Sequence, residues 1–590
     1  MKKSQKQSRS RKSGSAAVAA RAPGPGRPSH TLAAIDIGSN AVRFALAELT
    51  PGGALQILDE RRRPTRLGAN LAARGKLPKE GVKATIAAVK EFCFDAARHG
   101  VLAMRLVATA AVREAPDGAA FVARLERETG MRVSIIGTDE EARLAFRSCT
   151  DAIDLSKRHA AIVDIGGGSV QISLSHNGTL YESISLPLGA VRLTSMFGGA
   201  VRIHQPATEK KLRKHVRSVL ARSLPTPPSE VDLLVGCGGT FASLLSMLTN
   251  SPRSGAGSRG GSSTLKPRAC TRDEFETLGE TLKAMNLVER ERWLTRLKIP
   301  TDRADILPAG IIVAEEIIAA LQVRTIAPHG GGVRDGLLRE LAMMSPVPAF
   351  LPSAARRIAM DAAYERDHSE HVANLALALL SDLADVDRVR DALKGELEVP
   401  EVLESAGVLH DVGVPIDYDR HHKVARRIIE LAWFPGASPR LRAIIANIAR
   451  YHRKSLPAPD HAAFTALPRR DQAIVQALAG ILRVADGLDR THTGTVHGVR
   501  VRITRTLIEI IAEGAKSNDE NIKAAQKKSD LLAAIARRKV VVKAEDRSKQ
   551  SPHDGTEAAS HRRGKSKRSE KSRNSEPGRP RPGATRVSSR

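Results

Sequence analysis

The sequence predicts an α/β protein built on a duplicated strand–turn–strand unit, continued by a helical region and a small α+β module. The duplication is the first observation: Thr31–Leu49 contains two strand-like apolar runs around a glycine turn, and the same layout returns at Ala160–Leu174. The strand-end acids Asp36 and Asp164 stand 128 residues apart, which is a domain-sized repeat. From Ala354 onward, apolar residues recur at helical spacing instead.

Length, composition and cysteine content narrow the class of protein. The chain has 590 residues, enough for roughly three or four domains. An apolar content of 42% excludes a wholly disordered chain. The four cysteines are far apart and form no Cys-x-x-Cys pair, which excludes a disulfide scaffold and a zinc finger and indicates a reducing compartment. Since no apolar stretch approaches the ~20 residues of a membrane span, we expect a cytoplasmic protein without a membrane partner.

Positive charge is concentrated at the two ends of the chain. The formal net charge is +29; residues 1–30 contain eight Lys and Arg and no acid, and residues 546–590 contain 13 basic and five acidic residues. Neither segment has aromatic residues, and neither can bury enough apolar area to offset the entropy of ordering, so we predict disordered basic tails. The body between them is also basic, which suits a polyanionic ligand. For the tails, solubility and nonspecific attraction to phosphate are equally good explanations.

The repeated turns carry chemistry that suits phosphate. Glycine lets backbone N–H groups approach a phosphate closely, and a Ser or Asn side chain adds a donor. A strand-end carboxylate would repel phosphate, so the natural task of Asp36 and Asp164 is to hold a metal ion or to orient water. A single Asp-x-Gly hairpin is usually only a turn. Two copies a domain apart predict a phosphate clamp between two facing lobes.

Two further segments leave alternatives open. In Val231–Leu248 a strand leads into Gly236–Thr240, but Phe241 replaces the third glycine of a dinucleotide-binding fingerprint, and the chain has no P-loop motif. This third glycine loop is either a strand-to-helix turn or a wall of the ligand cleft. Similarly, Thr138 and Glu141 fit a helix-capping box, while the alternative for Glu141 is a carboxylate that activates water between the lobes.

Together these segments resemble the exopolyphosphatase / guanosine pentaphosphate phosphohydrolase family of the actin-like phosphotransferase superfamily. The motifs that carry the resemblance are Ala34–Asn40, Ala108–Arg113, Gly137–Arg143, Val163–Ser169, Leu186–Leu193, Gly236–Thr240, Arg303–Asp305 with Ala309-Gly310, and Val333–Gly336. The resemblance implies actin-like (ribonuclease H-like) lobes at residues 31–157 and 158–345, with the active cleft between them. It also implies an all-α HD-like domain at 346–493 and a small α+β module at 494–545, flanked by the tails at 1–30 and 546–590.

The resemblance also implies roles for individual residues. Glu141 would orient the attacking water, and Arg113 would neutralise developing negative charge. Asp164, with Asp36 as a second candidate, would hold Mg²⁺ that bridges phosphate oxygens. The terminal phosphates would be held by the two turns, which contain Gly38, Ser39, Asn40, Gly166, Gly167, Gly168 and Ser169.

Two positions depart from the family's usual pattern. Gln171 stands where the second loop usually has a glutamate, and Ala41 stands where the first loop usually has a serine. Because the glutamine removes a negative charge near the metal, it predicts weaker Mg²⁺ binding.

In the helical region, the order of histidines and acids resembles an HD-type phosphohydrolase domain. The candidate metal ligands are His371, His410, Asp411 and Asp486, and His421 or His422 and His452 stand where two-metal members of that superfamily have extra histidines. Imidazole with carboxylate suits Mn, Fe, Zn or Ni more than Mg²⁺ alone. This domain is therefore either a transition-metal site or a remnant scaffold that helps to bind the polymer.

The expected function is hydrolysis of the terminal phosphate of inorganic polyphosphate, with a divalent cation, Mg²⁺, as cofactor and no specific nucleic-acid partner. By resemblance we also expect a homodimer. The competing hypotheses are a guanosine pentaphosphate 5′-phosphohydrolase, a non-catalytic polyphosphate or nucleotide sensor, and an HD-domain phosphohydrolase whose actin-like part only binds ligand. Gln171 is the main argument for a sensor and Glu141 the main argument against it. The basic body favours a polymer over a single nucleotide.

Overall fold

The computed structural model describes residues 31–545, apart from 51–53, 151, 204, 228–229, 250–268, 298, 345–349, 396 and 517–518. Both predicted basic tails lie outside the described residues. The predicted fold class is confirmed, because two helix-flanked mixed sheets are followed by a helical region and a third, small sheet.

The first lobe is a five-stranded sheet with five helices. Its strands are β1 (Thr31–Ile37), β2 (Ala41–Leu49), β3 (Leu55–Pro64), β4 (Ala103–Ala108) and β5 (Val133–Ile135). Its helices are α1 (Leu71–Arg74), α2 (Lys79–Arg98), α3 (Ala110–Glu114), α4 (Gly118–Thr129) and α5 (Thr138–Thr150). The strand order is β3-β2-β1-β4-β5, with an antiparallel β1–β2–β3 meander and parallel β1, β4 and β5. All of β1 is buried, as expected for an apolar central strand covered on both faces.

The second lobe has a six-stranded sheet. Its strands are β6 (His159–Ile165), β7 (Val170–His176), β8 (Thr179–Leu186), β9 (Leu233–Cys237), β10 (Cys270–Thr271) and β11 (Thr325–Pro328). Its helices are α6 (Ala190–Met196), α7 (Pro206–Ser223), α8 (Gly238–Thr249), α9 (Arg272–Ala284), α10 (Leu287–Arg296), α11 (Leu307–Leu321) and α12 (Val333–Met343), with a 3₁₀ turn at Thr301–Arg303. The strand order is β10-β11-β9-β6-β7-β8.

The second sheet repeats the first down to the register of its hairpin. Read from the meander, the order β8-β7-β6-β9-β11 matches β3-β2-β1-β4-β5, and β10 is added at the edge. Ile37 faces Val42 and Ile165 faces Val170, so both turns have the same length. Each turn is closed by one hydrogen bond, from Gly38 N to Ala41 O at 3.1 Å and from Gly166 N to Ser169 O at 3.0 Å. The duplication that the sequence predicts is therefore a duplication of structure.

Helix α12 returns from the second sheet to the first. Val333, Leu337 and Leu341 pack with Leu32 and Ala34 of β1 in one buried cluster. The other face of the same sheet is covered by buried side chains of α2 and α4. The chain therefore passes between the two lobes twice.

The remaining helices form a third domain that shares a core with the second lobe. They are α13 (Leu351–Asp361), α14 (Arg366–Leu383), α15 (Asp387–Leu393), α16 (Val399–Leu409), α17 (His421–Leu431), α18 (Pro439–Arg450), α19 (Ala462–Thr465) and α20 (Arg469–Leu488). Helix α18 starts at Pro439 because the Ser438 hydroxyl accepts the N–H of Leu441 at 3.2 Å, while proline suits the first helical position. Helix α20 is buried along most of its length, so it lies at the centre of the domain.

A small α+β module completes the described chain. It contains β12 (Gly498–Ile503), β13 (Leu507–Glu513), α21 (Glu520–Lys528), α22 (Asp530–Ala536) and β14 (Lys539–Ala544). Its strands follow the order β12-β13-β14, the first pair antiparallel and the second parallel. Within the described ranges, no helix combines the length and the apolar character that crossing a bilayer requires.

Candidate active site

Glu141 and Arg113 form a largely buried ion pair in the first lobe. Glu141 lies in the first turn of α5 and is 7% exposed. Arg113, on α3, donates through Nη1 to Glu141 Oε2 at 2.9 Å and to the carbonyl oxygen of Ile136 at 2.8 Å. Because α5 begins at Thr138 itself, Thr138 does not occupy the position before the helix that a capping box requires. The capping interpretation of Glu141 is therefore wrong, and its role in activating water stays a prediction.

The environment of Glu141 favours a protonated carboxyl group more than water does. Burial is the main cause that raises the pKa of Glu141 to about 7. The Arg113 guanidinium opposes this shift, whereas the charges of Asp164 and Asp36 add to it. A carboxyl group with a pKa near neutrality is suited to accept a proton at physiological pH.

Asp36 and Asp164 occupy equivalent strand ends in the two lobes. Burial raises the pKa of Asp36, and Arg43 and Arg334 oppose the shift. Burial also raises the pKa of Asp164 to about 6, against the effect of Arg43. The Oδ1 atom of Asp36 is buried and has no hydrogen-bond partner among the described residues. Two carboxylates from opposite lobes, the buried Asp36 with an unpartnered oxygen and the half-buried Asp164, match the oxygen ligands that a hard divalent cation prefers.

The third glycine loop lies against Asp164. Gly238 has φ +78°, and a Cβ there would stand 2.2 Å from Asp164 Oδ1. A side chain at this position would be strained and would also fill the space beside the carboxylate. A Cβ added to Gly239 would likewise lie 1.5 Å from Arg303 Nη1. The segment is a strand-to-helix turn, because β9 ends at Cys237 and α8 begins at Gly238; its contact with Asp164 leaves a role as a wall of the cleft as a prediction.

The two glycine turns that the sequence predicts to bind phosphate, Gly38–Asn40 and Gly166–Ser169 (the phosphate-type turns), meet between the lobes. A Cβ added to Gly168 would lie 2.8 Å from Ser39 Oγ, and one added to Gly167 would lie 3.1 Å from Ser39 Cβ and 3.4 Å from Asn40 N. Ser39 and Ser169 are buried. The turns that the sequence identifies separately therefore form one continuous surface of backbone groups and hydroxyls.

A cavity of about 280 Å³ opens beside the two turns. It is lined by Ser39, Gly168, Ala111, Arg192 and Ser195, among others. Arg192 Nε donates to the Gly168 carbonyl at 2.8 Å, and the same guanidinium pairs with Glu114. Arg192 lies inside the motif Leu186–Leu193, but the sequence alone indicates no role for it, because only the fold brings it to the second turn.

A second cavity, of about 270 Å³, is rich in arginine: its lining includes Arg43, Arg61, Arg62, Arg303 and Arg334. Burial, together with the charges of Arg43 and Arg62, lowers the pKa of Arg303 to about 9. Arg43 was also missed by sequence reasoning. It stands 128 residues before Gln171, so aligning the two copies of the repeat residue by residue would have identified it.

The two residues that depart from the family pattern are both buried. Gln171 is 2% exposed, and its Nε2 lies 3.3 Å from Ser185 Oγ and 3.4 Å from Ser169 Oγ. Ala41 is the first residue of β2 and occupies the place in the first turn that Ser169 occupies in the second. The Gln171 amide thus places a hydrogen-bond donor beside Ser169 of the second turn.

The helical domain brings histidines and aspartates together, but not all of those that the sequence singles out. Ligand atoms of His368, His410 and Asp411 lie within 4.8 Å of one another, as do those of Asp411, His421 and His452. Asp486 borders the cluster, with Oδ1 4.0 Å from His368 Nε2, and it pairs with Lys528. His371, one helical turn after His368, belongs to neither group. His422 of α17 also belongs to neither group. His368 is the ligand candidate that the sequence missed.

Comparisons with known proteins agree with this architecture. Residues 46–344 match the model of the Ppx/GppA phosphatase family, and residues 353–528 match Ppx/GppA phosphatase, domain III. Exopolyphosphatase 1 of Mycobacterium tuberculosis is 28% identical over 331 residues, which cover 55% of this chain and 92% of that protein. The protein of the same name from Mycobacterium leprae is 28% identical over 330 residues, covering 55% and 94%.

Two solved structures are similar to part of this chain. An Aquifex aeolicus member of the Ppx/GppA family is 28% identical, covers 53% of this chain and 97% of that chain, and has a TM-score of 0.44. An exopolyphosphatase from Cytophaga hutchinsonii is 20% identical, with coverage of 53% and 97% and a TM-score of 0.47.

Proposed function

The chain belongs to the Ppx/GppA phosphatase family, and from this premise we propose that it is an exopolyphosphatase, which removes the terminal phosphate of inorganic polyphosphate. The observation that carries the proposal is the buried Glu141–Arg113 pair, whose carboxyl group is influenced by the strand-end aspartates of both lobes. This pair supplies a proton acceptor and a positive charge in a region bordered by two phosphate-type turns.

In the proposed reaction, Glu141 positions a water molecule and accepts its proton. The water oxygen forms a bond to the terminal phosphorus while the bond from that phosphorus to the bridging oxygen breaks. The shortened chain leaves with the electron pair of that bond, as an anion. Arg113 neutralises the charge that develops during the transfer, as phosphoryl transfer requires.

The two turns hold the terminal phosphates in this scheme. The N–H groups of Gly38 and Gly166 close their own turns. We therefore assign phosphate binding to the groups that follow, which are the backbone and hydroxyl of Ser39, the backbone N–H groups of Gly167 and Gly168, and the Asn40 and Ser169 side chains. Backbone donors that are fixed in place lose little entropy when they bind an anion.

Asp36 and Asp164 are the residues that would hold Mg²⁺. The unpartnered Oδ1 of Asp36, the space that Gly238 leaves beside Asp164 and the all-oxygen donor set fit this ion. When bound, Mg²⁺ supplies positive charge to the phosphate oxygens.

Charge around the cleft favours a polymer over a single nucleotide. Arg192 lies beside the cavity at the turns, and Arg43 and Arg303 line the second cavity, whose other arginines (Arg61, Arg62 and Arg334) are paired with acidic residues. Such an array provides positive potential over more than one phosphate position. The two mycobacterial relatives also carry the name exopolyphosphatase. The competing substrate within the family is guanosine pentaphosphate.

The test is release of inorganic phosphate from long-chain polyphosphate and from guanosine pentaphosphate, measured side by side with Mg²⁺. We expect the higher kcat/KM on polyphosphate, with no release by Glu141→Gln. A higher kcat/KM on guanosine pentaphosphate would replace the proposal with the competing activity. Binding of polyphosphate without release from either substrate would support the sensor hypothesis instead.

A further inference from the structure

The first turn of α5 contains three consecutive carboxylates, and each pairs with an arginine of another element. The two pairs within the first lobe are Glu141 with Arg113 of α3 and Glu140 with Arg105 of β4. The third carboxylate, Asp139, pairs with Arg427 of α17 in the helical domain. The turn that carries Glu141 is therefore attached to the helical domain as well as to its own lobe.

The Arg427 guanidinium also contacts the second lobe. Its Nη1 and Nη2 atoms donate to the two carboxylate oxygens of Asp139 at 3.1 and 3.2 Å. Its Nε donates to Glu182 Oε1 at 3.2 Å, and its Nη2 lies 3.4 Å from the carbonyl oxygen of Ser183. Both of these acceptors belong to β8, the edge strand of the second sheet. One guanidinium thus links α5 of the first lobe to β8 of the second, from a helix that belongs to neither.

Arg427 is held in this position from its own helix. Glu430, one turn further along α17, accepts from Nη1 at 2.7 Å, and only 16% of the Arg427 side chain is exposed. Burial opposes the charge, but the hydrogen bond to Asp139 and the surrounding carboxylates raise the pKa of Arg427 above its usual value. Because a planar guanidinium has donors in fixed directions, it can hold acceptors on two elements at a set separation, which a lysine ammonium cannot do as rigidly.

This link lies at the end of α5 that needs it. The other end of the helix packs on the second sheet through Phe146 and Cys149, which share a buried cluster with Ile162 and Val235. The Arg113 contact with Glu141 is internal to the first lobe, so it does not fix the distance from Glu141 to the second lobe. The Arg427 contact supplies that attachment at the first turn.

We propose that Arg427 is a positioning residue for the reaction in the cleft: through Asp139 it sets the place of Glu141 relative to the second lobe. The inference rests on the proposed function, in which Glu141 positions water against a phosphate held partly by the second lobe. A misplacement of about 1 Å caused by a change far from the reacting atoms can cost roughly 10²-fold in rate. Since Arg427 does not belong to the turns that hold phosphate, its loss should lower turnover and leave substrate binding nearly unchanged.

The first experiment measures kcat and KM of Arg427→Met on whichever of polyphosphate and guanosine pentaphosphate the wild type hydrolyses. We expect kcat to fall roughly 10–10²-fold, with KM close to that of wild type. The matched control is Arg426→Met, since Arg426 is the preceding arginine of α17 and pairs with Glu430; it should keep the wild-type kcat. An unchanged kcat in Arg427→Met, or an equal fall in both variants, would overturn the proposal.

The second experiment breaks the same link from its other partner, at a side chain that is 44% exposed. Asp139→Asn should also lower kcat, and the double variant with Arg427→Met should be no slower than Arg427→Met alone, because both changes remove one contact. Losses of kcat that multiply in the double variant would show that Arg427 does not act through Asp139.

A third measurement needs no substrate and separates this inference from the proposed function. Amide hydrogen exchange of residues 138–143 reports the first turn of α5, where the Glu141 N–H donates to Gly137 O at 3.0 Å. We expect faster exchange in Arg427→Met than in wild type and Arg426→Met, and equal rates in all three would refute the link. A wild type that releases phosphate from neither substrate would refute the proposed function, and the exchange rates would still decide whether Arg427 holds this turn.

Discussion

Asp164 lies directly opposite Gln171 in the ladder between β6 and β7. Directly paired residues of adjacent strands project to the same face of a sheet, so Gln171 is a lateral neighbour of the carboxylate to which we assign Mg²⁺. The equivalent pair in the first lobe is Asp36 and Arg43. One lobe thus places a cation beside its aspartate, and the other places a neutral amide there.

Replacing Gln171 by glutamate should lower the Mg²⁺ concentration for half-maximal activity. At an effective dielectric of ~20, one charge at about 4 Å contributes roughly 4 kcal/mol before desolvation and screening, and a quarter of that changes affinity about fivefold, since ~1.4 kcal/mol is tenfold. A Mg²⁺ titration of phosphate release measures the midpoint. Gln171→Met, which removes the amide without adding charge, is the control and should not lower the midpoint. Equal midpoints for wild type and Gln171→Glu would show that residue 171 does not tune the metal.

Glu141→Gln should abolish phosphate release and leave polyphosphate binding nearly intact. The amide cannot accept the water proton, and loss of a general base costs roughly 10²–10⁴-fold in rate, whereas the turns hold substrate independently of this residue. Rate and binding are measured by phosphate release and by equilibrium titration with polyphosphate. Glu140→Gln changes the adjacent glutamate, which pairs with Arg105, and should keep most of the activity. A Glu141→Gln variant with most of the wild-type rate would remove Glu141 from the mechanism.

Arg113→Met should move the acidic limb of the pH profile to higher pH. Glu141 accepts a proton only when ionised, so kcat/KM falls as pH drops through its pKa, which is about 7. The Arg113 charge holds that pKa down, and its removal raises the pKa further. The measurement is kcat/KM against pH for wild type, Arg113→Met and Arg124→Gln, an arginine of α4 that pairs with Glu128. The last variant should follow wild type, and an unshifted limb in Arg113→Met would contradict the assigned pair.

Gly189→Ala should weaken polyphosphate binding at the second turn while lowering the Tm of the protein only modestly. A Cβ at Gly189 would lie 2.3 Å from the Gly167 carbonyl oxygen and from the backbone carbon of Gly168, so the turn itself must move. Overpacking of this kind costs ~1–3 kcal/mol, and here the displaced atoms are the proposed phosphate donors. We expect a raised KM for polyphosphate with a modest fall in Tm. Gly137→Ala, where the added carbon meets open space, should change KM little; similar KM values for both variants would contradict the close approach.

The two hairpins could be predicted from the sequence because their signals are local. An apolar run, a glycine turn and a second run specify a hairpin wherever they occur, and the separation of Asp36 and Asp164 reveals the repeat. The return of α12 to the first sheet could not be predicted, because it depends on which sheet face is left uncovered after folding. His368 and His371 are one helical turn apart on α14, so helical periodicity does not distinguish them; in the structure it is His368 that contacts Asp489 through Nδ1 and has its Nε2 near Asp411.

The double passage of the chain between the lobes has a consequence for how substrate enters. The lobes are joined by two backbone segments, one between α5 and β6 and one at Gly330–Gly332 ahead of α12. A rotation of one lobe relative to the other would change the backbone dihedral angles of these two segments. In the described conformation, Ser39 and Gly168 leave no room even for a methyl group between them. A phosphate therefore does not fit between Ser39 and Gly168 themselves, and it would reach the two turns from the side on which the cavity opens.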